Sequence, residues 1–128
     1  MHLSEAYKLM GGEIALRRLV DCFYDLMDED PDYFGIRKLH PEELNSSRDK
    51  LFMFLSGWTG GPSLYIEKYG EPRLRSRHLP FSIGIDERDQ WLSCMNRAME
   101  KTGLEMQLRK SMALAFEQTA DFMRNQPE

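Results

Sequence analysis

Apolar residues recur at spacings of three and four along almost the whole chain, and no run of β-branched residues alternates long enough to build a sheet. The pattern predicts an all-α protein. A first short helix follows Leu3-Ser4, with Ser4 as N-cap, and Gly11-Gly12 ends it. A second helix over residues 13–27 carries Leu16, Leu19, Val20, Phe23, Tyr24 and Met27 as one buried stripe, and Pro31 among acidic residues breaks it. A turn through residues 33–39 leads to His40-Pro41. The next helix places Leu44, Ser47, Leu51, Phe54, Leu55 and Trp58 on one face. Thr59-Gly60-Gly61-Pro62 stops it and starts a short helix through Tyr65, with Pro62 at the first helical position. Gly70 and Pro72 repeat that stop and start. A further helix is expected from an N-cap at Asp86, burying Trp91, Cys94, Met95, Ala98 and Thr102. After Gly103 a last one buries Leu104, Leu108, Met112, Ala115, Phe116, Thr119 and Met123. The expectation is four long helices, with short irregular pieces in the middle of a single domain spanning residues 1–128.

Charge and cysteine content narrow the function classes. A net charge of −4 gives no overall basic field to draw in nucleic acid, and Arg73, Arg75 and Arg77 do not share one helical face. Cys22 and Cys94, 72 positions apart, read as two free, buried thiols in a reducing compartment. No CxxC or HExxH supplies a zinc ligand set. The N-terminal residues show neither a basic n-region nor an apolar run, and nowhere do about 18 apolar residues follow one another. The expected protein is soluble and cytoplasmic, with no membrane or nucleic-acid partner.

Candidate chemistry centres on Arg75-Ser76-Arg77-His78-Leu79-Pro80-Phe81. Pro80 forces Leu79 towards extended backbone, so a helix over residues 73–78 ends with His78 on its last turn. Such a histidine can cap the negative end of the helix dipole, or it can be held still as a metal ligand. The irregular stretch over residues 57–84 has little packing of its own. A bound planar macrocycle anchored by His78 would supply the missing apolar contacts and stabilise the folded state by mass action. Three polar or amphipathic residues lie on faces expected to be core: Tyr24, Ser47 and Trp91. Each has an ordinary structural explanation, with Tyr and Trp finding a backbone acceptor and Ser bonding back to its own helix.

Together with Gly11-Gly12, Phe23-Tyr24, residues 50–55, Trp58-Thr59-Gly60-Gly61-Pro62, Tyr65 and residues 87–92, the histidine motif followed thirteen residues later by Trp91 resembles the group II truncated haemoglobins. The resemblance runs over residues 6–123. It implies a truncated globin-like, two-over-two helical sandwich that binds haem b (iron protoporphyrin IX). By the same resemblance His78 is the iron ligand of a five-coordinate haem, and Tyr24 and Trp91 face the bound gas. Ser47 is the small distal-helix residue that stands where the ordinary globins have a histidine, Leu51 is the apolar residue one turn on, and His40 occupies a position between the helices. Lys50, Tyr65 and Arg77 hold the propionates, while Phe54, Trp58 and Phe81 form apolar walls. If His40 lines the pocket, it is expected to add a third donor and a group titrating near neutral pH. Tyr24 is also a possible ligand of ferric iron.

The implied function is tight binding of oxygen, with nitric oxide and carbon monoxide as related ligands. Slow release favours redox chemistry, such as nitric oxide or peroxide detoxification supported by an unidentified reductase, over transport. The expected assembly is a monomer or homodimer. Alternatives are a gas or redox sensor, an oxygen-storage globin, and a haem-free helical binding module in which His78 is only a cap. The absence of an output segment weighs against the sensor.

Overall fold

A computed structural model describes residues 2–78 and 80–125, apart from the side chains of Arg75 and Arg77. The expectations for Leu79 and for the Arg77 side chain lie outside the described residues. A 3-10 turn, Leu3–Glu5, leads into α1, Ala6–Met10; α2 spans Gly12–Glu29. A second 3-10 turn, Pro31–Tyr33, precedes α3, Phe34–Arg37, and α4 spans Asn45–Trp58. Two short helices follow, α5, Leu64–Tyr69, and α6, Leu74–His78. The long helices α7, Ile85–Lys101, and α8, Met106–Phe122, complete the chain, and no strand occurs among the described residues. α2 packs on α4 and on α7, and α7 packs on α8, so the four long helices form a two-over-two sandwich.

The core lies where these helices meet. Leu16, Leu19, Val20 and Phe23 of α2 are fully buried, as are Cys94, Met95 and Ala98 of α7 and Met112 of α8. Each large apolar side chain removed from water contributes about 1.5–3 kcal/mol, so the α2 stripe read from spacing alone is a main source of cohesion. Arg48 bridges α4 to Asp25 and Asp21 of α2 at 2.7 and 3.3 Å. These carboxylates are exposed, and such pairs orient helices more than they stabilise them, at about 0–1 kcal/mol each.

Several boundaries differ from the sequence expectation. Ser4 lies inside the first 3-10 turn and caps nothing. Pro62 does not open α5; its carbonyl accepts from Ser56 Oγ at 2.7 Å, and Ser63 is the residue before the helix. Arg73 stands outside α6 with φ 47°, a left-handed conformation that cannot continue a right-handed helix. The N-cap of α7 is Gly84, not Asp86, because the Gly84 N–H donates to Glu87 Oε1 at 2.7 Å. Cys94 is buried, and desolvation pushes its thiol up to about 12, but Cys22 is only half-buried at the edge of a surface groove. Trp91, Thr102, Leu104, Ala115, Thr119 and Met123 are half-buried, and the fully covered positions of α7 and α8 include Met99, which the stripe had omitted.

The turn after α4 shows why two glycines stand there. Gly60 has φ +93°, and a Cβ on it would overlap the Ser4 carbonyl. A Cβ on Gly61 would lie 2.5 Å from the Tyr7 ring. The N-terminal segment therefore packs directly on bare backbone, held by a Tyr7 N–H to Thr59 carbonyl bond of 2.9 Å. Thr59, fully buried, satisfies its hydroxyl on the Leu55 carbonyl at 2.6 Å. Among the described residues, no helix is long and apolar enough to cross a membrane.

Candidate functional site

α4 has two faces with different jobs. Phe52 and Ser56 turn into the protein core, Ser47, Leu51, Phe54 and Trp58 line a cavity of about 590 Å³, and the buried Leu55 borders both. Spacing alone marked this second stripe only as an apolar face, and the family resemblance made it a pocket wall. It is apolar because it walls a hollow, and a volume of this size lies within the range of small-molecule and cofactor pockets.

The cavity gathers residues from distant parts of the chain. Tyr24 enters from α2, His40 from the turn after α3, Lys50 from α4, Tyr65 from α5, His78 from the end of α6 and Trp91 from α7. Phe81 lies at its rim and is 41% exposed, so it is a partial wall. Every sequence-derived candidate whose side chain is described lines this one cavity. Phe116 and Thr119 of α8, and Met123 just after it, help complete it. Spacing had marked those three as helix interior without assigning them to a site. Phe116 is central: its ring stacks on Trp58 at 4.5 Å and meets Trp91 edge-on at 5.3 Å.

His78 Nδ1 lies 2.6 Å from the Leu74 carbonyl, one helical turn back. A carbonyl can only accept, so Nδ1 is the donor and Nε2 is the ring nitrogen left for another partner. The bond to its own helix is one a capping histidine also makes; what goes beyond capping is that the ring borders a cavity.

His40 is set in the same way, with Nδ1 donating to the Ile36 carbonyl at 2.8 Å. Desolvation by burial holds its pKa below the ordinary 6.5, outweighing the carbonyl bond that favours the charged ring. With Nδ1–H already used, the neutral form that burial favours would present Nε2 as an acceptor rather than a third donor. The segment that carries it is tied to α7, since Gln90 Oε1 accepts from Ile36 N–H at 3.1 Å. Gly35 is bare to admit that amide, because a Cβ there would come within 2.6 Å of the Gln90 side chain. Gln90, which sequence reasoning had left without a role, thus links Trp91's helix to His40's turn.

Tyr24 is 5% exposed and meets the His40 ring edge-on at 5.7 Å and the Phe23 ring at 5.0 Å. Desolvation raises its pKa well above the usual phenol range, so the hydroxyl stays protonated. Among the described residues neither the Tyr24 hydroxyl nor the Trp91 indole N–H has a hydrogen-bond partner, and Ser47 makes no bond back to its helix. Buried donors are normally paired. Two unpartnered donors lining one apolar hollow call for a polar ligand inside it. Lys50 reaches the mouth, with its ammonium 5.9 Å from the Tyr69 ring centre, and Tyr65 and Tyr69 pack together at 4.9 Å.

A haem fits this donor set: one imidazole whose Nε2 has no partner among the described residues, aromatic and aliphatic walls, and a cation at the edge for a carboxylate. His78 would be its axial ligand, with Leu51, Phe54, Trp58 and Phe116 as walls. One residue near this site escaped the sequence reading. Asn125, just beyond α8, donates through Nδ2 to the carbonyls of His78 and Phe81 at 3.2 and 2.8 Å. An asparagine following a long helical stripe signals a helix end; nothing local signals where its side chain will dock.

Comparison with known proteins agrees with this geometry. The family model described as bacterial-like globin matches residues 5–125. The group 2 truncated hemoglobin YjbI of Bacillus subtilis (strain 168) is 41% identical over 122 residues, which cover 95% of this chain and 89% of that protein. The structure of the group II 2-on-2 hemoglobin from the plant pathogen Agrobacterium tumefaciens superposes with a TM-score of 0.92 at 41% identity, covering 94% of each chain. That of the truncated oxygen-avid haemoglobin from Bacillus subtilis gives 0.87 at 40% identity, covering 94% of this chain and 98% of that one. With its two-over-two helices and its His78, Tyr24 and Trp91 gathered on one cavity, the chain belongs to the bacterial-like globins, as a group II truncated haemoglobin.

Proposed function

We propose that the chain binds haem b through His78 and retains a diatomic gas, oxygen first, by hydrogen bonds from Tyr24 and Trp91. The observation that carries this reading is the polarity of the cavity, in which one imidazole with a free Nε2 and two donors without acceptors share an apolar enclosure. Haem, when bound, would supply an iron for His78 to hold and a site at that iron able to take a diatomic gas. The Leu74 carbonyl orients the imidazole and makes Nε2 a stronger donor to a metal. Lys50 and Tyr65, with Arg77, serve the propionates, and Leu51, Phe54, Trp58 and Phe81 exclude water from the macrocycle.

Tyr24 remains a phenol rather than a phenolate, because its burial opposes ionisation. Its hydroxyl proton is therefore available for a hydrogen bond to a ligand in the cavity. A hydrogen bond to a partly charged acceptor contributes about 1.5–3 kcal/mol, so donations from Tyr24 and Trp91 slow gas release by about 10² to 10⁴. His40, as a neutral acceptor, cannot add a third.

Slow release suits retention and reaction more than carriage, and the relative from Bacillus subtilis at 40% identity is described as oxygen-avid. The activity we favour is conversion of nitric oxide, oxygen and one electron to nitrate, with peroxide reduction as a related use. A reductase of the cytoplasm returns the electron, and the protein works as a monomer or homodimer.

The test is the visible spectrum of haem-loaded protein in ferric, dithionite-reduced and carbon monoxide forms, beside His78→Ala. The expected result is a Soret band that shifts with carbon monoxide and is lost or altered in the variant, with no tyrosinate charge-transfer band in the ferric form. Protein that stays colourless with haem available overturns the proposal.

A further inference from the structure

α6 is five residues long, about a single turn, and one turn of helix cannot by itself hold an imidazole in a set direction. The chain beyond α8 returns to it. Asn125 Nδ2 donates to the His78 carbonyl at 3.2 Å and to the Phe81 carbonyl at 2.8 Å. Its Oδ1 accepts from Ile83 N–H at 2.9 Å, and its own N–H donates to the Ile83 carbonyl at 2.8 Å. Phe81 N–H donates to the His78 carbonyl at 3.0 Å, closing the turn from inside.

One side chain thus binds both ends of the loop over residues 78–83. Only a primary amide does this, since it donates two protons and accepts at the same time. An aspartate at this position would still accept from Ile83 but would set a carboxylate against two carbonyl oxygens. The partners are 42 to 47 residues away in sequence, so the contact couples the end of α8 to the histidine turn across the molecule.

We infer that Asn125 is a positioning residue for His78, holding the histidine turn so that Nε2 keeps a fixed direction into the cavity; the inference rests on His78 being the iron ligand. Asn125 touches neither gas nor haem in this role. It acts through the backbone of His78, so its loss changes the geometry of the axial bond and the retention of haem while leaving Tyr24 and Trp91 as they are.

The experiment compares haem-loaded wild-type protein with Asn125→Asp, Asn125→Ala and His78→Ala. Readouts are the ferrous iron–histidine stretching band in resonance Raman, the rate of haem transfer to an apoprotein acceptor, and amide hydrogen exchange of Ile83 in each haem-free chain. Asn125→Asp keeps the acceptor for Ile83 N–H but replaces the two donations with a carboxylate facing two carbonyls, so it is the decisive variant if Asn125→Ala does not fold. The expected result is a shifted and broadened band, haem loss about tenfold faster than wild type, and faster Ile83 exchange in the Ala variant. A band and a haem-loss rate equal to wild type in Asn125→Asp, with His78→Ala having lost the band, overturn the positioning role and leave Asn125 as a staple of the chain end. A band that survives in His78→Ala overturns the assignment of His78, and this inference with it.

Discussion

Tyr24, His40, His78 and Trp91 differ in what the surrounding backbone has already taken from them. The two histidines have each spent Nδ1–H on a carbonyl one turn back, at 2.8 Å for His40 and 2.6 Å for His78. Tyr24 and Trp91 have spent nothing, which makes them the donors of the cavity. Replacing Tyr24 by Phe or Trp91 by Leu is expected to speed oxygen release by about 10- to 10²-fold each, at 1.5–3 kcal/mol per charge-assisted bond; stopped-flow ligand displacement measures it. His40 sets a pH dependence. Its folded pKa lies below the ordinary 6.5, so the unfolded chain binds more protons between those two values and stability rises with pH there. The contribution is complete above about pH 6.5 and is lost as pH falls through the folded pKa. Thermal melts of the haem-free protein from about pH 7 to pH 5 should show this loss, and His40→Phe should flatten it. The identities of these residues were open to sequence reading, because a helix-end histidine before a proline and a tryptophan thirteen positions on are local patterns. Whether His40 donates or accepts was not, since that depends on a carbonyl partner and on burial.

At the scale of elements, α4 and the turn behind it show where periodicity is enough and where it stops. The spacing of Ser47, Leu51, Phe54 and Trp58 marked one apolar face correctly, but a face against protein and a face against a hollow carry the same pattern. Leu55, on the same stripe, borders cavity and core alike, whereas Phe52 and Ser56 face the core, and the Ser56 hydroxyl is satisfied by the Pro62 carbonyl, so its polarity hid its burial. The glycine pair that stops α4 was visible as a helix breaker; that it is a docking surface for the N-terminal segment needed the fold. Gly60→Ala must place a Cβ at φ +93° against the Ser4 carbonyl. It is expected to cost at least about 1–3 kcal/mol, read as a lower melting temperature with the spectrum of any remaining folded protein unchanged. Phe116 is 3% exposed and stacked between Trp58 and Trp91. Phe116→Ala should cost about 3–5 kcal/mol and also loosen the cavity wall, so both the melting temperature and the rate of haem loss should change.

In the whole molecule, four long helices enclose a hollow of about 590 Å³ within 128 residues. A chain this size has little apolar surface to spare, so the ligand that fills the cavity belongs to its stability as well as its function. Adding haem at about 100 times its dissociation constant should stabilise the fold by about 2.7 kcal/mol, and calorimetry of haem-free and loaded protein measures the shift. His78→Ala should abolish most of that gain. The amino-acid sequence by itself determined the helical class, the four long segments, the stops at glycine and proline, and the residue types able to bind a metal and a gas. These are local properties, written in spacings of three and four and in the conformational limits of individual residues. Tertiary structure alone decided that Tyr24, His40, His78 and Trp91 meet on one cavity, that Gln90 braces the His40 turn and that Asn125 reaches back to the His78 turn. The physical reason is that such contacts join positions far apart in the chain, and what a donor finds to bond with is settled only when the helices pack.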